Sequence, residues 1–577
     1  MKTLLVGINA KYIHSNLAIR YLRDYAAERG ETGILLQEFT INQRIEQILP
    51  EIYRTAPELI GFSCYIWNFS MVKRLVSELK KVLPNCLVLL GGPEVSYNAE
   101  EALRETPADF IICGEGEEAF FRLLDALRNG ADLQTVSGLA YRAGTEIRVT
   151  SPAPLLSMDD LPFVYRSMDD LEHKIIYFES SRGCPFSCQY CLSCNDRRVR
   201  FMSLTKVYQA LDFFLAQKVR QVKLVDRTFN CNSAYAMSIW RYLSEHDNGV
   251  TNFHFEIAAE LLDDDTLAFL KTVRRGQFQF EIGVQSTNPR TLKAIQRITQ
   301  LSLLRHIIGS LKEGGNIHLH LDLIIGLPYE DYRSFAQSFN DVYALRPDQL
   351  QVGFLKLLKG SGLYESAGQY GIVCSEYPPY EVLYTDVLPY RELLKLKMIE
   401  EMVETYYNSG RFQKTTAYLA GLFPDPFSFY ESLAAFYQEN GYHQVSHSNV
   451  EYYTILYRFL QALGRGDLCR FQWLAKFDLY SHEKAKKIPD WLTQGYEQEY
   501  RGAIYRFFAA PEKIRRFLPG YQEMPAKLIL RQAHLEVFPF SPVTMEEKRT
   551  AVLFQYLHTD LLGNADYEII ELEEFAV

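Results

Sequence analysis

No apolar run in this chain of 577 residues is long enough to cross a bilayer. The first residues, Met1-Lys-Thr-Leu-Leu-Val, run straight into a strand pattern, without the long apolar stretch and cleavage site of a secretory signal. Basic charge is not in excess: 61 Lys and Arg stand against 71 Asp and Glu, a formal net charge of −10. That gives no footprint for nucleic acid, although a local basic patch stays open. There is no internal repeat and no low-complexity run. Lys484–Lys487 holds three lysines but is short, and reads as a solvated helix end. Cysteine is sparse, ten in all, and three of them cluster. That distribution suits a reducing cytoplasm and a metal site better than a disulfide framework. A cytoplasmic protein without membrane contact is expected.

What is present is an ordinary globular composition, 47% hydrophobic and 23% charged, with 38 Tyr and 36 Phe. The length exceeds what one core serves, so three or so domains are expected. Over residues 1–130, short apolar runs alternate with amphipathic segments. Strands are expected at Thr3–Ile8, Gly33–Phe39, Leu59–Ser63, Leu87–Leu90 and Phe110–Cys113, with helices such as Asn16–Arg29 and Ser70–Val82 between them. This α/β alternation predicts a doubly wound, Rossmann-like parallel sheet, whose ligands bind beyond the carboxyl ends of the strands. Asn9, Lys11, Tyr12 and His14 follow the first strand. Ser63, Tyr65 and Trp67 close the third. Gly91-Gly92-Pro93-Glu94 follows the fourth, and Gly114-Glu115-Gly116-Glu117 the fifth. Glycines at such turns let the backbone approach a large ligand.

Residues 131–174 read as a linker. It holds a hairpin, Leu139–Ala143 and Glu146–Val149, around Gly144, then Pro152, Pro154 and Pro162. From 175 to 365 the alternation resumes, with strands expected at Ile175–Glu179, Gln221–Val225, Asn252–Ile257, Gln279–Gly283, His318–Ile324 and Leu350–Leu355. Six such units fit a partial (β/α)6 barrel, with the chemistry at the strand carboxyl ends. Residues 370–577 carry apolar residues at helical spacing over Tyr390–Tyr407, Phe412–Leu422, Phe427–Gln438 and Glu451–Leu463. A mostly α-helical domain of open role is expected there. A small α+β end follows, with helices near Gly495–Arg506 and Pro511–Phe517 and strands at His534–Phe538, Thr550–Tyr556 and Tyr567–Ile570. The chain closes on an acidic tail, Glu571–Val577.

The barrel segment opens on Ser181-Arg-Gly-Cys184-Pro-Phe-Ser-Cys188-Gln-Tyr190-Cys191. Three thiolates on one short loop suit a soft metal centre, and three is one too few to saturate a four-iron cluster. From the residues alone, a zinc knuckle completed by Cys194 stays open. The spacing, with Tyr190 in place, resembles the cluster loop of the radical S-adenosylmethionine (SAM) superfamily. The resemblance implies a [4Fe–4S] cluster on Cys184, Cys188 and Cys191, with SAM on the open iron.

The stretches Gly283-Val284-Gln285 and Asp322-Leu-Ile-Ile-Gly326-Leu-Pro328 resemble the barrel of the oxygen-independent coproporphyrinogen oxidase branch. By that resemblance Asp226, Arg227 and Thr228 lie in the turn that holds the SAM amino end. A glycine-rich turn is replaced here by Asp-Arg-Thr. Glu256 is expected to hydrogen-bond the ribose. Gln285, Arg297 and Asp322 complete the SAM contacts, Arg297 near the methionine carboxylate, where a guanidinium forks onto a carboxylate. The alternatives are a rim salt bridge for Glu256 and Asp322, and a solvated helix face for Arg297.

The N-terminal loops resemble the cobalamin-binding domain fused to one class of radical SAM enzymes. Such domains that displace the cofactor's own base carry Asp-x-His-x-x-Gly after the first strand; here the loop reads Asn9-Ala-Lys11-Tyr-Ile-His14. His14 is therefore expected to be a polar contact or a satisfied structural His. Tyr65 and Trp67 are expected to cover the lower face of cobalt, with ordinary interface packing as the alternative.

Together the resemblances imply a cobalamin-dependent radical SAM enzyme. The leading expectation is methylation of an unactivated carbon through a 5′-deoxyadenosyl radical and methylcobalamin, with no catalytic side chain beyond the cofactors. A rearrangement, cyclisation or ring contraction without methyl transfer is the alternative, and RNA modification a second. Flavodoxin or ferredoxin is expected to supply the electron. The substrate, small molecule or macromolecule, is left open. Cys194 and Cys231 are either redox-active thiols or small apolar residues.

Overall fold

The computed structural model describes residues 1–577 except 169–170, 486–487, 493–494, 560–562 and 577, and only the backbone at 194, 497, 526, 558–559 and 576. The chain divides into two compact units, Met1–Phe335 with Phe354–Tyr390, and Ala336–Gly353 with Arg391–Val577.

The first unit begins with a seven-stranded sheet. Its strands are β1 (Thr3–Asn9), β2 (Ile34–Thr40), β3 (Leu59–Ser63), β4 (Leu87–Gly91), β5 (Phe110–Ile112), β6 (Leu139–Ala143) and β7 (Glu146–Val149), in the order β2-β1-β3-β4-β5-β6-β7. The first five are parallel. Residues alternate between two cores, as period-two geometry requires. Leu4, Val6 and Ile8 pack with the helices Ile45–Thr55 and Phe69–Val82. Leu5, Leu59 and Leu89 pack on the other face, with Leu17–Glu28 and Glu117–Asn129. Burial on both faces is what a doubly wound sheet demands. The register is tight at the carboxyl ends: Gly7 pairs with Ser63, Ser63 with Gly91, and Gly91 with Ile112. The loops after β1, β3, β4 and β5 therefore leave the sheet along one edge.

The hairpin read as part of a linker belongs to this sheet. β6 pairs antiparallel with β5, and β7 with β6. Leu139 and Tyr141 enter the same core as Phe110 and Ile112. The hairpin thus covers an otherwise exposed edge of β5, which the Gly- and Pro-rich surroundings disguise.

The second half of this unit is a parallel sheet: β8 (Ile176–Phe178), then, past the short pair β9 (Ser181–Arg182) and β10 (Arg200–Phe201), β11 (Gln221–Leu224), β12 (Asn252–Ile257), β13 (Phe278–Gln285) and β14 (His318–Ile325). These strands run in the order β14-β13-β12-β11-β8. The sixth expected strand, β15 (Gln349–Phe354), spans the division between the units.

The second unit is helical, with Gln413–Ala420, Pro426–Glu439, Asn449–Leu463 and Leu468–Tyr480, followed by an antiparallel sheet of Ala533–Phe538, Thr550–Thr559 and Ala565–Ile570. Leu468–Tyr480 joins the two parts. Every residue from Trp473 to Tyr480 is buried. Asp478 accepts from the backbone N–H groups of Lys414 and Thr415 on one side. Lys476 pairs with Glu536 of the sheet at 2.9 Å on the other. The acidic tail is not free: Leu572–Ala576 is a helix, and Phe575 is buried in the core of this end. Nor is Lys484 simply solvated, because its ammonium donates to the carbonyls of Leu530 and Ala533. The neighbouring Lys486 and Lys487 lie outside the described residues.

Candidate active site

The cysteine loop is closed by a stem. Ser181 and Arg182 of β9 pair antiparallel with Phe201 and Arg200 of β10. Gly183 turns the chain at φ +96°, where a Cβ would stand 2.4 Å from the carbonyl oxygen of Arg198; only glycine fits. Cys184 and Cys188 are buried, Cys191 is half-buried, and none of the three is in a disulfide. Their surroundings are polar. Sγ of Cys184 lies 3.5 Å from Oγ1 of Thr228, and Sγ of Cys191 accepts from the backbone N–H of Ser193 at 3.4 Å. Nη1 of Arg297 lies 3.7 Å from Sγ of Cys188. Among the described residues no three His, Cys, Asp or Glu gather as ligands of one ion; in a [4Fe–4S] cluster each thiolate binds a different iron. The side chain of Cys194 lies outside the described residues. Cys231 is half-buried and free.

The barrel carries its polar residues inward in layers set by register. Tyr177, Lys223, His254, Gln279 and His318 form one row; Glu256, Glu281 and His320 form the next; Gly283 and Asp322 the one above. Glu281 accepts from Lys223 at 2.9 Å and lies 2.9 Å from Nε2 of His254. Burial works against ionising Glu281, but His254 and Lys223 outweigh it and hold its carboxyl well below the usual carboxylate range. Asp322 behaves in the opposite way: burial, with the fields of Glu281 and Glu256, pushes its carboxyl well up. His320, 3.2 Å from Asp322, is lowered to about 4, chiefly by burial. Glu256 reaches Lys223 at 3.5 Å, which is the salt bridge expected as its alternative.

Sequence reasoning gave no role to Lys223, His254, Glu281 or His320. Their signal was available: polar residues at every second position of Gln221-Val-Lys-Leu, His254-Phe-Glu, Gln279-Phe-Glu and His318-Leu-His-Leu-Asp.

The SAM contacts expected around this core fall into two groups. Gln285 stands at φ +72°, beside a register shift between β13 and β14. Arg297 lies past the helix Pro289–Ala294 and donates to the carbonyl of Gly283, so it is turned into the site and is not on a solvated helix face. Three buried atoms here have no hydrogen-bond partner: Oε1 of Gln285, Nε of Arg297 and Oδ1 of Asp322, the last lying 3.2 Å from Nε2 of His320 without a hydrogen bond between them. Buried polar atoms are nearly always paired, so adjacent orphans mark room for a polar ligand. Asp226 differs. It is buried, and its carboxylate accepts from Ser180 N–H and from the hydroxyls of Ser180 and Ser181. It holds the end of β8 to the end of β11. Arg227 is exposed, and Thr228 is buried against Cys184.

The loop edge of the N-terminal sheet meets this barrel. Nδ1 of His14 lies 2.6 Å from the Tyr177 hydroxyl, so the ring has a protein partner. Tyr380 donates to Glu94. Arg182 forks onto Glu117, and Arg200 onto Glu115. Asn9 spends its amide on Glu38 and the His14 carbonyl, and Ser63 accepts from Asn16. Gly92 is at φ +115°, 2.5 Å from Cys64 by its missing Cβ. Lys11, Tyr12, Trp67, Pro93 and Gly114 remain open to solvent. Tyr12 is 68% exposed, and Trp67 is 45% exposed while stacked on Tyr65 at 4.3 Å.

Family models match residues 3–124 as a B12 binding domain, 178–342 as the radical SAM superfamily and 368–554 as a protein of unknown function, DUF4080. The chain is a cobalamin-dependent radical SAM enzyme. It is 26% identical over 379 residues to the anaerobic magnesium-protoporphyrin IX monomethyl ester cyclase of Synechocystis sp., covering 62% of this chain and 75% of that protein. It is 28% identical over 402 residues to the cobalamin-dependent radical SAM methyltransferase TokK of Streptomyces tokunonensis, covering 64% and 58%. In fold it is similar to the radical SAM methyltransferase TsrM from Kitasatospora setae, solved with cobalamin and a [4Fe–4S] cluster, with a TM-score of 0.55 at 16% identity over 66% of this chain and 78% of that one.

The enzyme uses a [4Fe–4S] cluster, SAM and cobalamin, and its residues fit them. Cys184, Cys188 and Cys191, none of them in a disulfide and one beside a guanidinium, suit thiolate ligation of the cluster. The orphaned atoms of Gln285, Arg297 and Asp322 offer an acceptor, a cationic donor and a carboxyl to SAM. The exposed Trp67 and Tyr12, on an edge rich in glycine, offer a flat apolar surface to a large ring. No helix among the described residues is long and apolar enough to cross a membrane.

Proposed function

We propose that the enzyme transfers a methyl group from SAM to an unactivated carbon of its substrate. One observation carries this: the loop edge of the N-terminal sheet is tied to β8 through His14–Tyr177 and to the stem of the cysteine loop through Glu117–Arg182 and Glu115–Arg200. Two cofactors held on those loops face one space. When bound, the cluster and SAM supply a hydrogen-abstracting radical, and cobalamin supplies the methyl group. The chain's own part is to bind, orient and exclude water. Lys223 and His254 hold Glu281 ionised beneath the SAM contacts, while burial and the fields of Glu281 and Glu256 push the Asp322 carboxyl well up beside them. Methylation at carbon needs no base, because the hydrogen leaves to the radical. The methyltransferase name of TokK supports this reading. Arg197 and Arg198, exposed on the cysteine loop, offer a cationic landing for an acidic flavodoxin or ferredoxin.

A second reading, ring closure without methyl transfer, is favoured by the cyclase relative. Anaerobic incubation of the holoenzyme with methyl-labelled SAM and a cell extract separates the two. Label in a carbon-bound position of an extract component is expected. Turnover of SAM with no label transferred contradicts methyl transfer.

A further inference from the structure

The turn Gly114-Glu-Gly-Glu117 reads in sequence as a cofactor-facing loop, yet its two carboxylates are turned elsewhere. Glu117 accepts both terminal nitrogens of Arg182, at 2.6 and 3.3 Å. Glu115 accepts both terminal nitrogens of Arg200, one at 3.2 Å. Arg182 and Arg200 are partners in the antiparallel pair that closes the cysteine loop, and Arg182 stands two residues before Cys184. Each strand of the stem is thus gripped by a fork-to-fork pair from one four-residue turn. The grip extends on both sides. Nε of Arg182 donates to Glu179 at 2.9 Å, while Leu156 gives its N–H to Glu115 and its carbonyl to Arg200. The side chains of Arg182 and Glu117 are 14% and 6% exposed. Exposed ion pairs swivel and are screened; planar forks that are largely buried fix orientation.

We propose that Arg182 and Arg200 are positioning residues that couple occupancy of the cobalamin site to the cluster, through Glu117 and Glu115. The turn after β5 and the cysteine stem then move as one element. Filling either site orders the other, and the coupling acts equally in both directions. The inference rests on the two cofactors being resident, not on whether methyl is transferred.

The test is a cycle on the full-length chain. The dissociation constant of hydroxocobalamin is measured for cluster-loaded protein and for protein stripped of iron by a chelator, in the wild type, in Arg182→Lys and in Glu117→Gln. The spectrum of the reduced cluster by electron paramagnetic resonance is recorded with and without cobalamin. In the wild type, loss of the cluster is expected to weaken cobalamin binding about fivefold or more, and cobalamin is expected to shift the cluster spectrum. Both effects are expected to vanish in the variants. Glu117→Gln is nearly isosteric, so it carries the test if Arg182→Lys fails to fold. Equal affinities in the wild type, or a dependence that survives in the variants, overturns the proposal.

Discussion

Nη1 of Arg297 lies 3.7 Å from Sγ of Cys188, while its Nη2 donates to the carbonyl of Gly283. One guanidinium therefore touches both a cluster cysteine and the strand end where the SAM contacts gather. Its charge stabilises the more negative, reduced cluster. Arg297→Met is expected to lower the cluster's reduction potential, read by redox titration, and to weaken SAM binding about tenfold, as loss of a charged hydrogen bond does. Arg297→Lys keeps the charge but not the fork, so it should restore the potential more than the affinity.

Asp322 tests the electrostatics of the barrel. Burial and the neighbouring Glu281 and Glu256 raise its folded value well above the ordinary 3.8. A carboxyl raised on folding contributes stability below its unfolded value, and that contribution is lost as pH rises towards the folded value. Asp322→Asn removes this loss. Its melting temperature at pH 7 should exceed that of the wild type, with the gain shrinking as pH falls towards 4, while SAM binding is impaired. An equal gain at all pH values would contradict the assignment.

Asp226 tests the scaffold. Its carboxylate receives three donors from Ser180 and Ser181, and all of them are buried. Asp226→Ala leaves those donors unpaired and should cost about 3 kcal/mol of stability, read as a lower urea midpoint. A change below about 0.5 kcal/mol would mean that water replaces the carboxylate readily.

The cysteines separate by role. Alanine at Cys184, Cys188 or Cys191 should abolish iron incorporation and SAM cleavage. Cobalamin should still bind, but about fivefold more weakly, because the stem no longer surrounds an ordered cluster. Cys231→Ser should keep its iron. Iron counts per chain decide this.

Much of the fold was legible because strand patterns are local. Leu59–Ser63 and Asn252–Ile257 were expected at the bounds observed, and most other strands differ only at their ends. The cysteine triad and Arg297 were legible from spacing and resemblance. The interior ion network was not, since pairing Lys223 with Glu281 requires knowing that β11, β12 and β13 are neighbours in register. The helix Leu468–Tyr480 was missed for a related reason. From Trp473 onward it is buried on all sides, so Lys476 and Asp478 interrupt any amphipathic stripe, and each finds its partner only in a distant segment. Phe575 looked like a lone aromatic in an acidic tail because the core it enters is built from residues 503–570.

The central claim is methyl transfer from SAM at a site shared by two cofactors. The direct measurement is the yield of S-adenosylhomocysteine and 5′-deoxyadenosine per product formed, in anaerobic turnover with the true substrate. One equivalent of each per methylated product is predicted. 5′-Deoxyadenosine without S-adenosylhomocysteine would contradict methyl transfer and leave the cyclisation reading in its place.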